Sequence, residues 1–419
     1  MKRNLLDIVT KVLDQGPICD NCMGRQFAKL STGLSNKERG TAIRTVLAML
    51  RDQEIHKAKK CWVCNGLFDS LDAWVQKAVK ALSGYEYNTF LVGTKVSGLL
   101  AENEEILWAE SGTTQAEPLK SELNREVGKL IQPQTGKEVD FERPDIVVTL
   151  DLAEEKVELQ VNPIFIYGKY RKLVRGIPQT AWPCPQCGGN GCKSCKNTGK
   201  MYQTSVEELI APSVLKLSGG ADAVFHGAGR EDVDARMLGT GRPFVLEIKE
   251  PVRRHFNLAD LRDIINKHAK GKVKVSSLKF VDKEAVEAVK SEYSDKVYRL
   301  RIVFKKAVPR EKLEAALDKL TKTAIKQRTP LRVAHRRADK IRTKRARSAT
   351  LKAMSNNKAS ICIECEGGLY VKELISGDDG RTKPSLSKLV GVDAQVLELD
   401  VIKVKEALHA KVRRNKKKK

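Results

Sequence analysis

Gly227-Ala-Gly-Arg-Glu-Asp-Val-Asp-Ala-Arg-Met-Leu-Gly-Thr-Gly-Arg-Pro-Phe244 sets three carboxylates, Glu231, Asp232 and Asp234, among three guanidinium groups, Arg230, Arg236 and Arg242. Four glycines, at 227, 229, 239 and 241, frame the run. Glycine at that density marks positive φ or close backbone approach. Carboxylates among arginines are expected to stay ionised, because neighbouring cations favour the charged form. A surface loop with self-paired charges has the same composition. It leaves unexplained why a chain of net charge +25 gathers acids at one glycine-framed point. Asp232 and Asp234, two residues apart, share a face in any extended segment, so spacing alone does not separate them.

The run lies within residues 205–410, whose patterning predicts both helices and strands. Ser205-Val-Glu-Glu208 is a capping box that opens a helix. Apolar spacing predicts helices over 258–268, 283–289 and 312–323, and strands over 244–248, 296–304 and 397–404. Helices laid over a mostly antiparallel sheet make this region α+β. From Arg328 to Arg345, eight Lys/Arg stand against a single acid, Asp339. A solvated helix face would mix signs, so the stripe reads as a binder of several phosphates. Lys372 sits among apolar neighbours in the run 367–375, where a half-buried lysine calls for a carboxylate partner.

Upstream, the ten cysteines fall into five Cys-x-x-Cys pairs, at 19/22, 61/64, 184/187, 192/195 and 362/365. With no secretory signal, paired thiolates point to zinc rather than disulfides. Tetrahedral zinc takes two pairs per ion. Cys19, Cys22, Cys61 and Cys64 would staple a helical module over residues 1–68, whose second helix opens on the capping box Ser35-Asn-Lys-Glu38. Cys184, Cys187, Cys192 and Cys195 form a glycine-rich knuckle at 181–204, read as a structural staple in a linker, with contact to RNA left open. Cys362 and Cys365 lie in an expected strand, face opposite sides and are read as structural. Residues 69–180 alternate helices and strands. They end in 164–175, where Tyr167 and Tyr170 interleave with Lys169, Arg171, Lys172 and Arg175. That stretch is either an RNA-contacting surface or an edge strand with a charged face. Residues 411–419 hold seven Lys/Arg and read as a disordered basic tail. The net charge calls for a polyanionic partner, and the lack of a long apolar run excludes a membrane span.

Several motifs resemble pseudouridine synthases. Arg230-Glu-Asp232 resembles that superfamily's Arg-x-Asp motif, Lys296-Val-Tyr298 its Lys-x-Tyr motif, and Gly368-Leu-Tyr-Val-Lys372 the Gly-Thr-Tyr-Ile-Arg motif of TruB-type enzymes. The resemblance is closer to the archaeal and eukaryotic tRNA pseudouridine synthase family Pus-ten. It is carried by Cys19-Asp-Asn-Cys-Met-Gly-Arg-Gln-Phe27, Ser205-Val-Glu-Glu-Leu209, Gly229-Arg-Glu-Asp-Val-Asp-Ala-Arg236, Arg332-Val-Ala-His-Arg-Arg337 and Glu373-Leu-Ile-Ser-Gly-Asp-Asp-Gly-Arg-Thr382.

The resemblance implies a THUMP-type accessory domain over 69–180 and a pseudouridine synthase core over 205–410. It implies a cytoplasmic monomer acting on the T-arm of tRNA at uridines 54 and 55, with structural zinc and no organic cofactor. Asp232 is then the catalytic carboxylate, with Tyr298 stacked on the uracil and assisting deprotonation of C5, and Lys372 paired to Asp232. Arg230, Tyr298, Arg332, His335, Arg336, Arg337 and Tyr370 are the substrate contacts. Lys372, where several relatives carry Arg, keeps the charge without the bidentate fork. Two other classes stay open on the sequence. One is a non-catalytic tRNA-binding protein or RNA chaperone. The other takes Asp232-Val-Asp234 as a divalent-metal site of a transferase, which the flanking arginines oppose.

Overall fold

The computed structural model describes residues 5–55, 58, 60–291 and 294–405, and the side chain of Arg336 also falls outside that description. The expected basic tail at 411–419 lies outside the described residues. The chain divides into two compact units, Met1–Pro163 with Glu250–Arg254, and Ile164–Lys249 with His255–Lys419.

The first unit opens with α1 (Leu5–Asp14), α2 (Asp20–Arg25) and α3 (Asn36–Arg51). The capping box before α3 forms as expected: Ser35 N donates to Glu38 Oε2 at 2.7 Å, and Glu38 N donates to Ser35 Oγ at 3.2 Å. α2 and α3 cross closely because Gly24 and Gly40 lack side chains. A Cβ on Gly24 would lie 1.8 Å from Asn36 O, and one on Gly40 2.0 Å from Asp20 O. Then follow α4 (Leu71–Leu82), β1 (Thr89–Lys95), α5 (Gly98–Ser111), α6 (Leu119–Thr135), β2 (Glu138–Val139), β3 (Ile146–Asp151) and β4 (Lys156–Val161). The sheet order is β2-β1-β3-β4, with β1 parallel to both neighbours and β4 antiparallel to β3. Phe90, Val92, Val127, Ile131, Ile146 and Val148 fill its core. Apolar faces buried at helical and strand spacing drive this packing.

The second unit contains β5 (Ile164–Lys172), α7 (Val206–Ser218), β6 (Asp222–Gly227), β7 (Arg236–Lys249), α8 (Leu258–His268), β8 (Val273–Val281), α9 (Glu284–Ser291) and β9 (Lys296–Phe304). It continues through α10 (Arg310–Lys322), β10 (Ile325–Arg328), β11 (Ile341–Lys344), β12 (Ala346–Ser355), β13 (Lys358–Cys365), α11 (Val371–Ser376), β14 (Thr382–Lys383), α12 (Leu386–Val390) and β15 (Ala394–Val404). An eight-stranded sheet runs β12-β13-β9-β15-β7-β5-β8, with β6 also on β7. Every pairing is antiparallel except β15 with β7. A smaller antiparallel sheet, β11-β10-β14, carries the basic stripe. The α+β architecture matches the expectation.

The stretch 164–175 is not the edge strand of the second sequence reading. β5 is interior, paired with β7 on one side and β8 on the other, and both Tyr170 and Lys172 are fully buried. Tyr170 and Lys172 share the inward face of an interior strand, and Tyr167, Lys169 and Arg171 share the opposite, half-buried face. The glycines of the opening run serve the protein's own backbone. β7 keeps β5 on one side, along 242–248 and again at Met237, while on its other side β6, at 244–249, gives way to β15, at 236–237. At that switch Gly239 has φ +58°, and a Cβ there would lie 1.8 Å from Ile402 O. Only glycine fits both demands.

Candidate active site

The loop between β6 and β7 holds all three acids of the opening run, and the sheet fixes it from beneath. Glu231 points inward with its side chain fully buried. Tyr170 Oη donates to Glu231 Oε2 at 2.8 Å, Arg242 Nε lies 2.8 Å from the same oxygen at an oblique angle, and Lys172 Nζ lies 3.9 Å from Oε1. Gln179 Nε2 donates to Tyr170 Oη and to Gly229 O, both at 2.9 Å. Burial pushes the Tyr170 phenol well above its ordinary value, so it remains a donor to the carboxylate. Lys172 Nζ also donates to the main-chain oxygens of Ile177, Asp232 and Val233, at 2.9, 3.0 and 3.2 Å. Arg175 Nη1 grips Asp234 O and Leu399 O, each at 2.8 Å. Lys172 and Arg175 thus clamp the loop's main chain.

Above that clamp the other two acids face outward. Arg332 Nη1 donates to Asp232 Oδ1 at 3.0 Å, and its Nε donates to the buried Glu373 at 2.6 Å. Lys372 Nζ lies 3.4 Å from Asp232 Oδ2 but 2.7 and 2.8 Å from the two oxygens of Asp234. Lys372 therefore bridges both acids and sits closer to Asp234, while Arg332 is the tighter partner of Asp232. Burial alone would raise the Asp234 carboxyl; the Lys372 bond and charge outweigh it and hold the group below its ordinary value. Both carboxylates are already met by cations, which opposes a divalent ion at this pair.

A cavity of about 710 Å³ opens beside Asp232, a size that suits a small ligand or a single nucleotide. The structure brings Arg230, Asp232, Tyr298, Arg332, Arg337, Tyr370 and Lys372 to its wall. His335 is exposed and does not line it. Tyr298 comes from β9, and burial pushes its phenol above the ordinary value, with the nearby Arg242 charge working the other way. Of the basic stripe, Arg332 turns inward to Asp232 and Glu373, Arg328 pairs with Asp339 at 2.8 Å, and Arg342 and Lys344 join Arg337 on the wall. Sequence reasoning missed the support beneath the loop: Tyr170, Lys172, Gln179 and Arg242. Only the aromatic–cation alternation of 164–175 hinted at it.

Two four-cysteine groups assemble as expected, Cys19/Cys22/Cys61/Cys64 and Cys184/Cys187/Cys192/Cys195, with the sulfurs of each group within 4.8 Å of one another. Close pairs measure 3.7 Å (Cys19–Cys64, Cys192–Cys195) and 3.9 Å (Cys184–Cys192, Cys187–Cys195). A tetrahedral ion with metal–sulfur bonds of about 2.3 Å sets ligand edges near 3.8 Å, so both groups fit one. Backbone amides point at sulfur, Gly191 N to Cys187 Sγ at 3.2 Å and Gly199 N to Cys195 Sγ at 3.3 Å, as thiolate ligands require. Cys362 and Cys365 belong to neither group.

The family profile described as Pus10, C-terminal, matches residues 165–405, and that described as Pus10 THUMP domain, archaeal, matches residues 74–151. A tRNA pseudouridine synthase Pus10 of Methanothrix thermoacetophila is 50% identical over 98% of this chain and 97% of its own. One of Halorubrum lacusprofundi is 46% identical over 96% of each. Among solved structures, a Cbf5-Nop10-Gar1 complex aligns over 48% of this chain and 45% of its own, at 16% identity and a TM-score of 0.31, a likeness too weak to build on. The matches define the class first: a pseudouridine synthase core with a THUMP-type region that carries a cysteine cluster. Within that class the chain belongs to the Pus10 family, and it is a tRNA pseudouridine synthase. Among the described residues, no helix is long and apolar enough to cross a membrane.

Proposed function

We propose that this enzyme isomerises uridines 54 and 55 in the T-loop of tRNA, with Asp232 as the carboxylate that acts at C1′ of a flipped-out uridine. One observation carries the reading. Asp232 lines the 710 Å³ cavity with its side chain one-third exposed, braced on one side by Arg332 and Lys372. Asp234 lies off that cavity, and Glu231, at its floor, has a fully buried side chain.

The reaction breaks the C1′–N1 bond, turns the base and joins C1′ to C5; C5 gives up a proton and N1 gains one. No atoms enter or leave, so the chemistry calls for no organic cofactor. Asp232 serves as nucleophile or base and stabilises the developing cationic sugar. Arg332 and Lys372 keep it ionised and aimed. Tyr298 offers a ring for the uracil to stack on. Burial holds its phenol above the ordinary value. Arg230 helps hold the nucleotide out of its stack. Tyr370 walls the pocket, and the rest of the stripe, with His335, Arg336 and Arg337, meets the T-arm phosphates.

The roles set out on sequence are carried forward with new bounds: residues 1–163 form one unit, and 164–204 join the catalytic unit. Zinc in the two cysteine groups is structural: it closes each knuckle and takes no part in the isomerisation. A tRNA substrate suits a cytoplasmic enzyme. Pseudouridine mapping of unmodified tRNA transcripts after incubation tests the reading. The expected result is modification at 54 and 55, with two zinc ions per chain by elemental analysis. Modification confined to other positions would contradict it.

A further inference from the structure

Trp182 opens the second cysteine knuckle and reaches the rim of the active site. Met201 N donates to Trp182 O at 2.9 Å, Pro183 bridges to Lys200, and the Tyr202 ring meets the Trp182 ring edge-on at 5.6 Å. On another side the Arg230 guanidinium carbon lies 5.5 Å from the ring centroid. Trp182 also walls a recess of about 150 Å³ together with Arg230, Asp232, Asp234, Arg332 and Lys372. That recess adjoins the main cavity, and the two share Asp232.

The knuckle's chemistry is that of a nucleic-acid surface. Residues 181–204 contain no acid and three lysines, Lys193, Lys196 and Lys200, all exposed. Aromatics make up 5% of the chain, yet the half-buried Trp182 shares a recess with Asp232 and is backed by Tyr202. Flipping a nucleotide strips its neighbours of a stacking partner, and an aromatic ring replaces that partner whatever the base.

We propose that this knuckle contacts RNA: Trp182, braced by Tyr202 and Arg230, stacks on the nucleotide beside the flipped uridine, and the tetrathiolate metal sets the ring's position. The choice of nucleotide rests on the pseudouridylation site proposed above; the stacking can be measured without it. Trp182→Leu keeps apolar bulk and removes the aromatic face, and Trp182→Phe keeps that face. Affinity for fluorescently labelled tRNA is read by anisotropy, alongside metal content and thermal midpoint. Trp182→Leu should bind tRNA roughly five- to a hundredfold more weakly, with KM raised, kcat at saturating tRNA little changed, and full metal content. Trp182→Phe should bind within about threefold of the parent on the same basis. These affinities decide the matter even if no pseudouridine forms at 54 or 55. Parent-like affinity in Trp182→Leu overturns the proposal. So does an equal loss in both variants accompanied by loss of metal, which would make the ring a structural prop alone.

Discussion

Glu231 and Asp232 are adjacent carboxylates with opposite surroundings. The Glu231 side chain is 0% exposed and locked among Tyr170, Arg242 and Lys172. Asp232 is 33% exposed and Asp234 66%, and both meet their cations at the edge of open space. A buried acid with every partner supplied by the fold has nothing left to offer a substrate. A carboxylate on a main chain clamped from below, with one side open, can act on one. The contrast teaches that the loop is divided by depth: its lower half fixes position, and its upper half is left free for chemistry.

The sharpest way to break this division is from below. Glu231→Gln leaves Arg242 and Lys172 buried without their counter-charge. Stability should fall by about 3–5 kcal/mol, measured by urea unfolding, and a change under about 1 kcal/mol would show that the lower half does not anchor the loop. From above, Arg332→Gln removes a charged hydrogen bond worth about 1.5–3 kcal/mol from Asp232. Single-turnover rates should drop roughly ten- to a hundredfold, and an unchanged rate would free Asp232 from any dependence on that cation.

The smallest effect is expected at Asp400, which sits between Arg175 and Arg236 and so steadies the residue that grips the loop. Burial would raise its carboxyl, but the Arg236 bond and the Arg175 charge outweigh burial and hold it below the ordinary value. A depressed acid stabilises the fold fully above its unfolded pKa of about 3.9. That contribution is lost as the pH falls through the lower folded value. Asp400→Asn should therefore lower the melting temperature at pH 7 and show a smaller further loss than the parent on acidification below about pH 4. Parallel acid profiles for the two proteins would contradict the assignment.

Much of this was legible in the sequence wherever the signal is local. The helix at 258–268 and the strand at 296–304 follow from periodicity, and the cysteine groups follow from spacing, because each Cys-x-x-Cys pair is a local signal and two pairs complete one tetrahedral site. What stayed hidden depends on distant partners. Lys172 is fully buried because Asp232 O and Val233 O, some 60 residues on, receive its protons. Arg332 reads as one more phosphate ligand until the fold brings it to Asp232, 100 residues earlier. α5 escaped notice because its apolar residues spread around the helix, with Leu99 and Ile106 left exposed. Asp232 and Asp234 could not be ranked from spacing, and the fold separates them by which one faces the larger cavity.

That ranking is the central claim, and tritium release measures it directly. Unmodified tRNA labelled at uridine C5 is mixed with excess enzyme carrying Asp232→Asn or Asp234→Asn, and release is followed through one turnover while tRNA binding is checked separately. Asp232→Asn should bind tRNA normally and release label at least about a thousandfold more slowly. Asp234→Asn should stay within roughly tenfold of the parent. Parent-like release from Asp232→Asn, or its loss in Asp234→Asn alone, would contradict the account.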